Sequence, residues 1–247
     1  MRIAVAGGTG RVGVTVVNRL RDSGHEVIPM SPSGRVNALH REGLSDVLGG
    51  VTVLVDVTDP PTTEASAARW FLETSTFNLL EAGKAVGVQH YVVLSLVGVD
   101  RVDAGYFYAK RAQEARVRAS GTPYTIVRCT QLYEFIADLV DDATDGRMVR
   151  VADVPVQPVA AADVARVIAH VALGAALNSV VEVAGPERLG LDELARRVLT
   201  ARHDDREVVP AAYARYLGAE LEPGDRSLLP DTVVTGTTVA QWLSEPT

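Results

Sequence analysis

Apolar residues in this chain follow two alternating periods. Arg2–Ala6 is a short apolar run that ends in glycines, as a strand buried on both faces does. Residues 12–23 place Val12, Val16, Val17 and Leu20 at helical spacing and stop before Gly24. Glu26–Met30 reads as a second strand, followed by the turn Ser31-Pro32-Ser33-Gly34. Residues 36–39 suggest a short third strand, with no room for a helix before it, and residues 43–48 a short helix. The unbroken β-branched and leucine run at 51–57 is the clearest buried strand, and Pro60-Pro61 ends it. A long helix is expected over 64–86, a strand over 89–96, a helix over 107–120 stopped by Gly121, and a strand over 124–130. Strands alternating with helices of this length make βαβ units, hence an α/β fold with a doubly wound parallel sheet.

After residue 131 the rhythm loosens. Asp163 reads as the cap of a helix running to Leu173. A strand at 180–184 and a helix at Leu191–Ala201 follow. The last 40 residues, with Pro210, Pro223 and Pro230, read as irregular with short helices. No repeat or linker divides residues 1–247. We expect one unit in which residues from about 132 add a small C-terminal substrate-binding subdomain to the sheet.

The 247 residues, 47% hydrophobic and 22% charged, suit a folded chain with a sizeable core. A net charge of −7 without a Lys/Arg run argues against nucleic-acid binding. No apolar stretch approaches the roughly 20 residues that cross a bilayer, and the first glycines come too early for a signal peptide. Cys129 stands alone, so neither an internal disulfide nor a cysteine-built metal site is expected. The five histidines are scattered without metal-ligand spacing. A cytoplasmic protein, monomer or homodimer, that acts on a small molecule without a metal is the expectation.

The turn Gly7-Gly8-Thr9-Gly10-Arg11-Val12-Gly13 links the first strand to the first helix. Glycines at this spacing permit the tight turn, the approach of backbone to a pyrophosphate and close helix–strand packing. The helix N-terminus then faces the phosphates. Dinucleotide binders that take NAD place a carboxylate after the second strand. Here Ser31 and Ser33 stand instead, with Arg35 or Arg11 as the candidate to neutralise a 2′-phosphate. NADP(H) is therefore preferred, with NAD(H) the alternative. Val57, at the end of the third predicted buried run, completes the cofactor edge.

Tyr106 and Lys110 are spaced i, i+4 at the start of a helix and so share one face. A lysine ammonium beside a phenol stabilises phenolate and draws its pKa toward neutrality. Seven tyrosines and two lysines, against 22 arginines, give this spacing by chance only about 0.06 times. Tyr108 faces away. Ser95 ends the strand before this helix, at the carboxyl edge where ligands bind in such sheets. Val97, Gln131, Tyr133 and Phe135 are candidate pocket walls.

The segments GGTGRVG, VTDPP, the strand ending in Ser95, YFYAK and TIVRCTQ resemble the atypical short-chain dehydrogenases/reductases of the NmrA-like, NAD(P)H-binding group. The resemblance spans residues 1 to about 200. It implies a Rossmann fold, a nicotinamide cofactor, and a Ser95–Tyr106–Lys110 triad. In that triad the tyrosine donates a proton, the serine orients substrate, and the lysine holds the nicotinamide ribose and tunes the tyrosine. The expected activity is reduction of a carbonyl or an activated double bond in a small, largely apolar substrate. A cofactor-sensing regulator without turnover, and an isomerase or epimerase that retains NAD(P), remain alternatives.

Overall fold

The computed structural model describes residues 1–34, 36–231 and 235–244. Along the chain run β1 (Arg2–Ala6), α1 (Arg11–Asp22), β2 (Glu26–Met30), α2 (Leu44–Leu48), β3 (Val53–Asp56), α3 (Ala65–Val86), β4 (His90–Leu96), α4 (Gly105–Ala119) and β5 (Tyr124–Cys129). Then come α5 (Tyr133–Asp142), β6 (Thr144–Asp145), β7 (Met148–Val151), β8 (Pro155–Val156), α6 (Ala161–Leu173) and β9 (Ser179–Val183). β10 (Leu189–Gly190), α7 (Leu191–Ala201), β11 (Glu207–Pro210) and α8 (Val239–Ser244) complete it.

The central sheet has six parallel strands in the order β2-β1-β3-β4-β5-β9. Its side chains alternate between two apolar layers, as the pleat requires. Ile3, Val5, Val53, Val55, Val92 and Val127 pack with α1 and α6. Ala4, Leu54, Tyr91, Val93 and Ile126 pack with α2, α3 and α4. The chain crosses from β2 on one side of β1 to β3 on the other. The carboxyl edge between β1 and β3 is thus the switch point where ligand crevices form in doubly wound sheets.

A separate apolar cluster forms a lobe over that edge. Tyr133, Ile136 and Val140 of α5, Val149 and Val151 of β7, Leu194 and Val198 of α7, and Leu228 build it, with Phe107 reaching up from α4. The lobe uses chain on both sides of the α6–β9 return to the sheet. β7 carries the β6 hairpin on one edge and β11 in parallel on the other, and β8 pairs with β10.

Two expected elements differ. Residues 36–39 form no strand: Asn37 makes one antiparallel bridge to Glu42, and Val36 is buried with Leu44 and Leu48 of α2. Val36 is taken up by packing beside α2, which leaves this segment without a strand neighbour to pair with. Asp163 is not the cap of α6. Ala160 holds the cap position, and Asp163 lies in the first turn, accepting from the Thr237 N–H and from Arg166. The Ala161 N–H at this helix start is instead met by both carboxylate oxygens of Glu134, at 3.0 Å.

Candidate cofactor and active site

A cavity of about 1090 Å³ opens along the switch point beneath the lobe. At one end lies the glycine turn. Gly7 has a left-handed φ of +76°, and a Cβ there would meet the Val57 carbonyl oxygen at 2.7 Å. A Cβ on Gly13 would stand 2.0 Å from the Gly7 oxygen, so α1 can sit this close to the turn only with glycine. Gly10 is different. Its Cβ would meet only the Gly7 oxygen, at 3.3 Å, and otherwise point into open space. The fold itself asks little of Gly10, whereas backbone contact with a ligand would ask for glycine. No side chain caps α1 at Gly10, and its first turn has no acid, so its N–H groups and positive dipole face the cavity. Residues 7, 9, 10, 11, 12 and 13 all line it, as does Val57.

These contacts separate two variants. Gly10→Val should fold and melt near the parent while losing dinucleotide binding. Gly13→Val should lose stability as well, because backbone must move. Tm and cofactor titration of both proteins check this.

Beyond the turn, Ser31 lines the cavity and its hydroxyl pairs with that of Ser33 at 2.9 Å. Ser33 itself is exposed and is not part of the lining. Arg35 lies outside the described residues. Arg11 turns across the cleft mouth. Its Nη1 donates to the Glu134 carbonyl and to Asp138 Oδ2, at 2.8 and 2.7 Å, and its guanidinium covers the Phe135 ring.

The other end gathers Ser95, Tyr106 and Lys110 on one wall. Ser95 follows Tyr91 and Val93 on the α3–α4 face of β4, and its Oγ is buried without a hydrogen-bond partner among the described residues. A buried hydroxyl facing a cavity in that state fits a ligand that completes it. The start of α4 is fixed by the Tyr106 N–H, which donates to the Leu217 carbonyl at 2.9 Å. One turn on, Lys110 is 4% exposed, and its Nζ donates to the Leu94 carbonyl and Gln113 Oε1, both at 3.1 Å. Gln113 in turn donates to Asp56, which also accepts from Tyr91 and Thr58. The ammonium is therefore aimed by the end of β4 and by a polar network rooted in β3.

Tyr106 has a partner that sequence reading missed. Its hydroxyl donates to Asp59 Oδ1 at 2.5 Å. Asp59 sits in the loop after β3, in the VTDPP segment, where no periodicity marks it. Burial first, and the Asp59 carboxylate second, hold the phenol well above the usual tyrosine range. This corrects the expectation that Lys110 draws that pKa down. The ammonium is 5.8 Å from the ring centroid and engaged elsewhere.

Val97, Gln131 and Phe135 line the cavity. Tyr133 does not. It is fully buried, stacks on Trp242 at 5.1 Å, and its hydroxyl donates to the Thr237 carbonyl. On a helix, residues two apart lie on opposite sides, so Phe135 and Tyr133 cannot both face one cavity. Tyr108 lies outside, with its hydroxyl on Arg69. Cys129 touches the cavity, but burial pushes its thiol up to about 12, which removes it as a nucleophile at neutral pH. Among the described residues no cluster of His, Cys, Asp and Glu can hold a metal ion, and no helix is long and apolar enough to cross a membrane.

Comparison with known proteins gives the same cofactor class. The model of a family described as NAD(P)H-binding matches residues 7–173. A curated relative, the (4-alkanoyl-5-oxo-2,5-dihydrofuran-3-yl)methyl phosphate reductase of Streptomyces griseus, is 33% identical over 140 residues, 51% of this chain and 46% of that protein. The chain thus matches about half the length of that relative. The Thermus thermophilus UDP-glucose 4-epimerase, solved with NAD, superposes with a TM-score of 0.70 at 19% identity, over 91% of this chain and 90% of the other. The NADPH-dependent quinone oxidoreductase of Escherichia coli, solved with NADPH, gives 0.67 at 21% identity, over 85% and 78%. Those structures share the fold. With its glycine turn at the switch point of a Rossmann-like sheet, this chain belongs to the NAD(P)H-binding family.

Proposed function

We propose that the protein is an NADPH-dependent reductase of a small, largely apolar carbonyl compound or activated alkene. The observation that carries this reading is one cavity lined by the glycine turn at one end and by Ser95, Tyr106 and Lys110 at the other. A bound dihydronicotinamide supplies hydride. The chain supplies position and proton. Ser95 Oγ holds the substrate oxygen, Tyr106 protonates that oxygen or the enolate, and Lys110 holds the nicotinamide ribose. Val97, Gln131 and Phe135 form the substrate wall, and residues from about 132 act as the substrate subdomain of one unit. The names of the Streptomyces relative, a reductase, and the Escherichia coli structure, an NADPH-dependent oxidoreductase, support the reaction class.

The cofactor preference rests on the Ser31–Ser33 pair at the end of β2, where no carboxylate stands to hold a ribose 2′-hydroxyl. Calorimetry at one ionic strength should show NADPH binding more tightly than NADH. Arg35→Ala should weaken NADPH selectively, by roughly 1–3 kcal/mol for a lost charge-assisted contact. Equal affinities in the parent would reverse the assignment. Turnover is tested by NADPH oxidation against a panel of quinones, ketones and unsaturated lactones. A protein that oxidises none of them, yet leaves purification with cofactor bound, would instead be an epimerase or isomerase.

A further inference from the structure

The proton that Tyr106 gives up must be replaced after each turnover, and the phenol is only 5% exposed. Lys110 Nζ, the nearest cation on α4, is engaged by Leu94 and Gln113. The phenol oxygen does meet one group that also meets water. Asp59 is exposed, and its Oδ1 accepts the Tyr106 hydroxyl at 2.5 Å. Asp59 precedes Pro60-Pro61, whose rings fix φ and stiffen the loop that presents it. The loop borders the cavity through residues 58–63, so the carboxylate stands between the solvent and the inner wall.

We propose that Asp59 is the proton relay and positioning residue for Tyr106. This rests on the reading of Tyr106 as the proton donor. In the resting protein Asp59 holds the hydroxyl and fixes the ring. During reduction the Tyr106 O–H bond breaks and a substrate O–H or C–H bond forms, with the hydride and its electron pair coming from the dihydronicotinamide. The Asp59 carboxylate then takes a proton from solvent and passes it across the hydrogen bond to the phenolate, which restores both the carboxylate and the phenol. One proton from solvent and one hydride are consumed per product.

The phenolate left by each transfer is strongly basic. Burial and the Asp59 charge raise its proton affinity, with Cys129 and Asp56 adding to the same side. Lys110, over the ring, is the opposing charge. A basic phenolate recaptures a proton readily from a carboxyl group within hydrogen-bond reach.

Two measurements decide this. The first needs neither cofactor nor substrate. Ultraviolet difference titration of the free protein, referenced to Tyr106→Phe, should show Tyr106 ionising at lower pH in Asp59→Asn than in the parent. An unmoved transition would overturn the coupling. The second is kinetic. Asp59→Ala should lower kcat roughly tenfold or more with KM little changed, and added formate or acetate should restore part of it. Asp59→Glu should retain more activity than Asp59→Asn. A loss of kcat that no small acid rescues would mean loop support alone and would overturn the relay. Full turnover in Tyr106→Phe would instead sink the proton-donor reading, and the titration separates the two failures. Asp59 is on an exposed loop, and far-ultraviolet dichroism of each variant verifies folding.

Discussion

Replacing Tyr106 by Phe should lower kcat by roughly 10²–10⁴, with cofactor affinity almost unchanged. The variant keeps the ring in its packing against Ala68, Leu72 and Ala109 and deletes only the hydroxyl. Tyr108→Phe is the internal control. Its hydroxyl meets Arg69 outside the cavity, so turnover should hold. Lys110→Arg tests the other half of the pair. A solvated lysine tolerates arginine, but this ammonium is buried, with its donors placed on Leu94 O and Gln113 Oε1. A planar guanidinium does not fit that site. Activity and some cofactor affinity should fall together, while Lys84→Arg, at the end of α3, changes neither. Steady-state kinetics on a validated substrate, with cofactor titration, measures all four. Full turnover in both Tyr106→Phe and Lys110→Arg would remove the triad and favour a cofactor-sensing protein.

The largest effect on stability is expected at Arg128. This β5 residue lies beneath α4, 8% exposed at its side chain, and it bonds Glu114 through Nε and Nη2, at 2.9 and 2.8 Å. Its Nη1 reaches Asp100 in the loop after β4, also at 2.8 Å. Glu114 is 1% exposed, with only half-exposed Arg118 as a second cation. Arg128→Ala would strand that buried carboxylate, at a cost of about 3–5 kcal/mol. The urea midpoint should fall accordingly. The double variant Arg128→Ala/Glu114→Ala should be less destabilised than the sum of its parts, since the stranded charge is gone. Arg147→Ala, which breaks the fully exposed pair with Asp205, should leave the midpoint nearly unmoved. A small effect at Arg128 would mean that water reaches Glu114.

What the sequence made legible follows from periodicity. Runs such as 51–57 and helix spacings such as Val12-Val16-Leu20 report burial directly, and the βα alternation of residues 2–129 follows from them. The glycine turn and the i, i+4 pair are local, so their placement beside one cavity needed only the topology of the sheet. Tyr133 shows where the reading failed. Following a strand without a visible helix start, both aromatics of the Tyr133–Phe135 segment looked equally near the pocket. Once α5 is seen to begin at Tyr133, the helical phase sends Tyr133 and Ile136 to the lobe core and Phe135 to the cavity. Asp59 failed for a different reason. A loop carboxylate 47 residues from its partner carries no signal of period or spacing, and only the fold brings it to Tyr106.

The construction of the lobe limits how specificity can be exchanged among relatives. Its strands and helices come from chain before α6 and from chain after β9, and β7 bonds β11 across that gap. A chimera spliced once at residue 132 would import α6 and β9 with the lobe, and thereby replace an edge of the sheet and the helix that packs on α1. A graft that leaves the cofactor half intact needs two insertions, one for residues 132–160 and one for residues after 184, taken from the same donor. Each piece alone would present unpaired β7 or β11 backbone and half of an apolar cluster, so single-piece hybrids should aggregate rather than acquire a new substrate range.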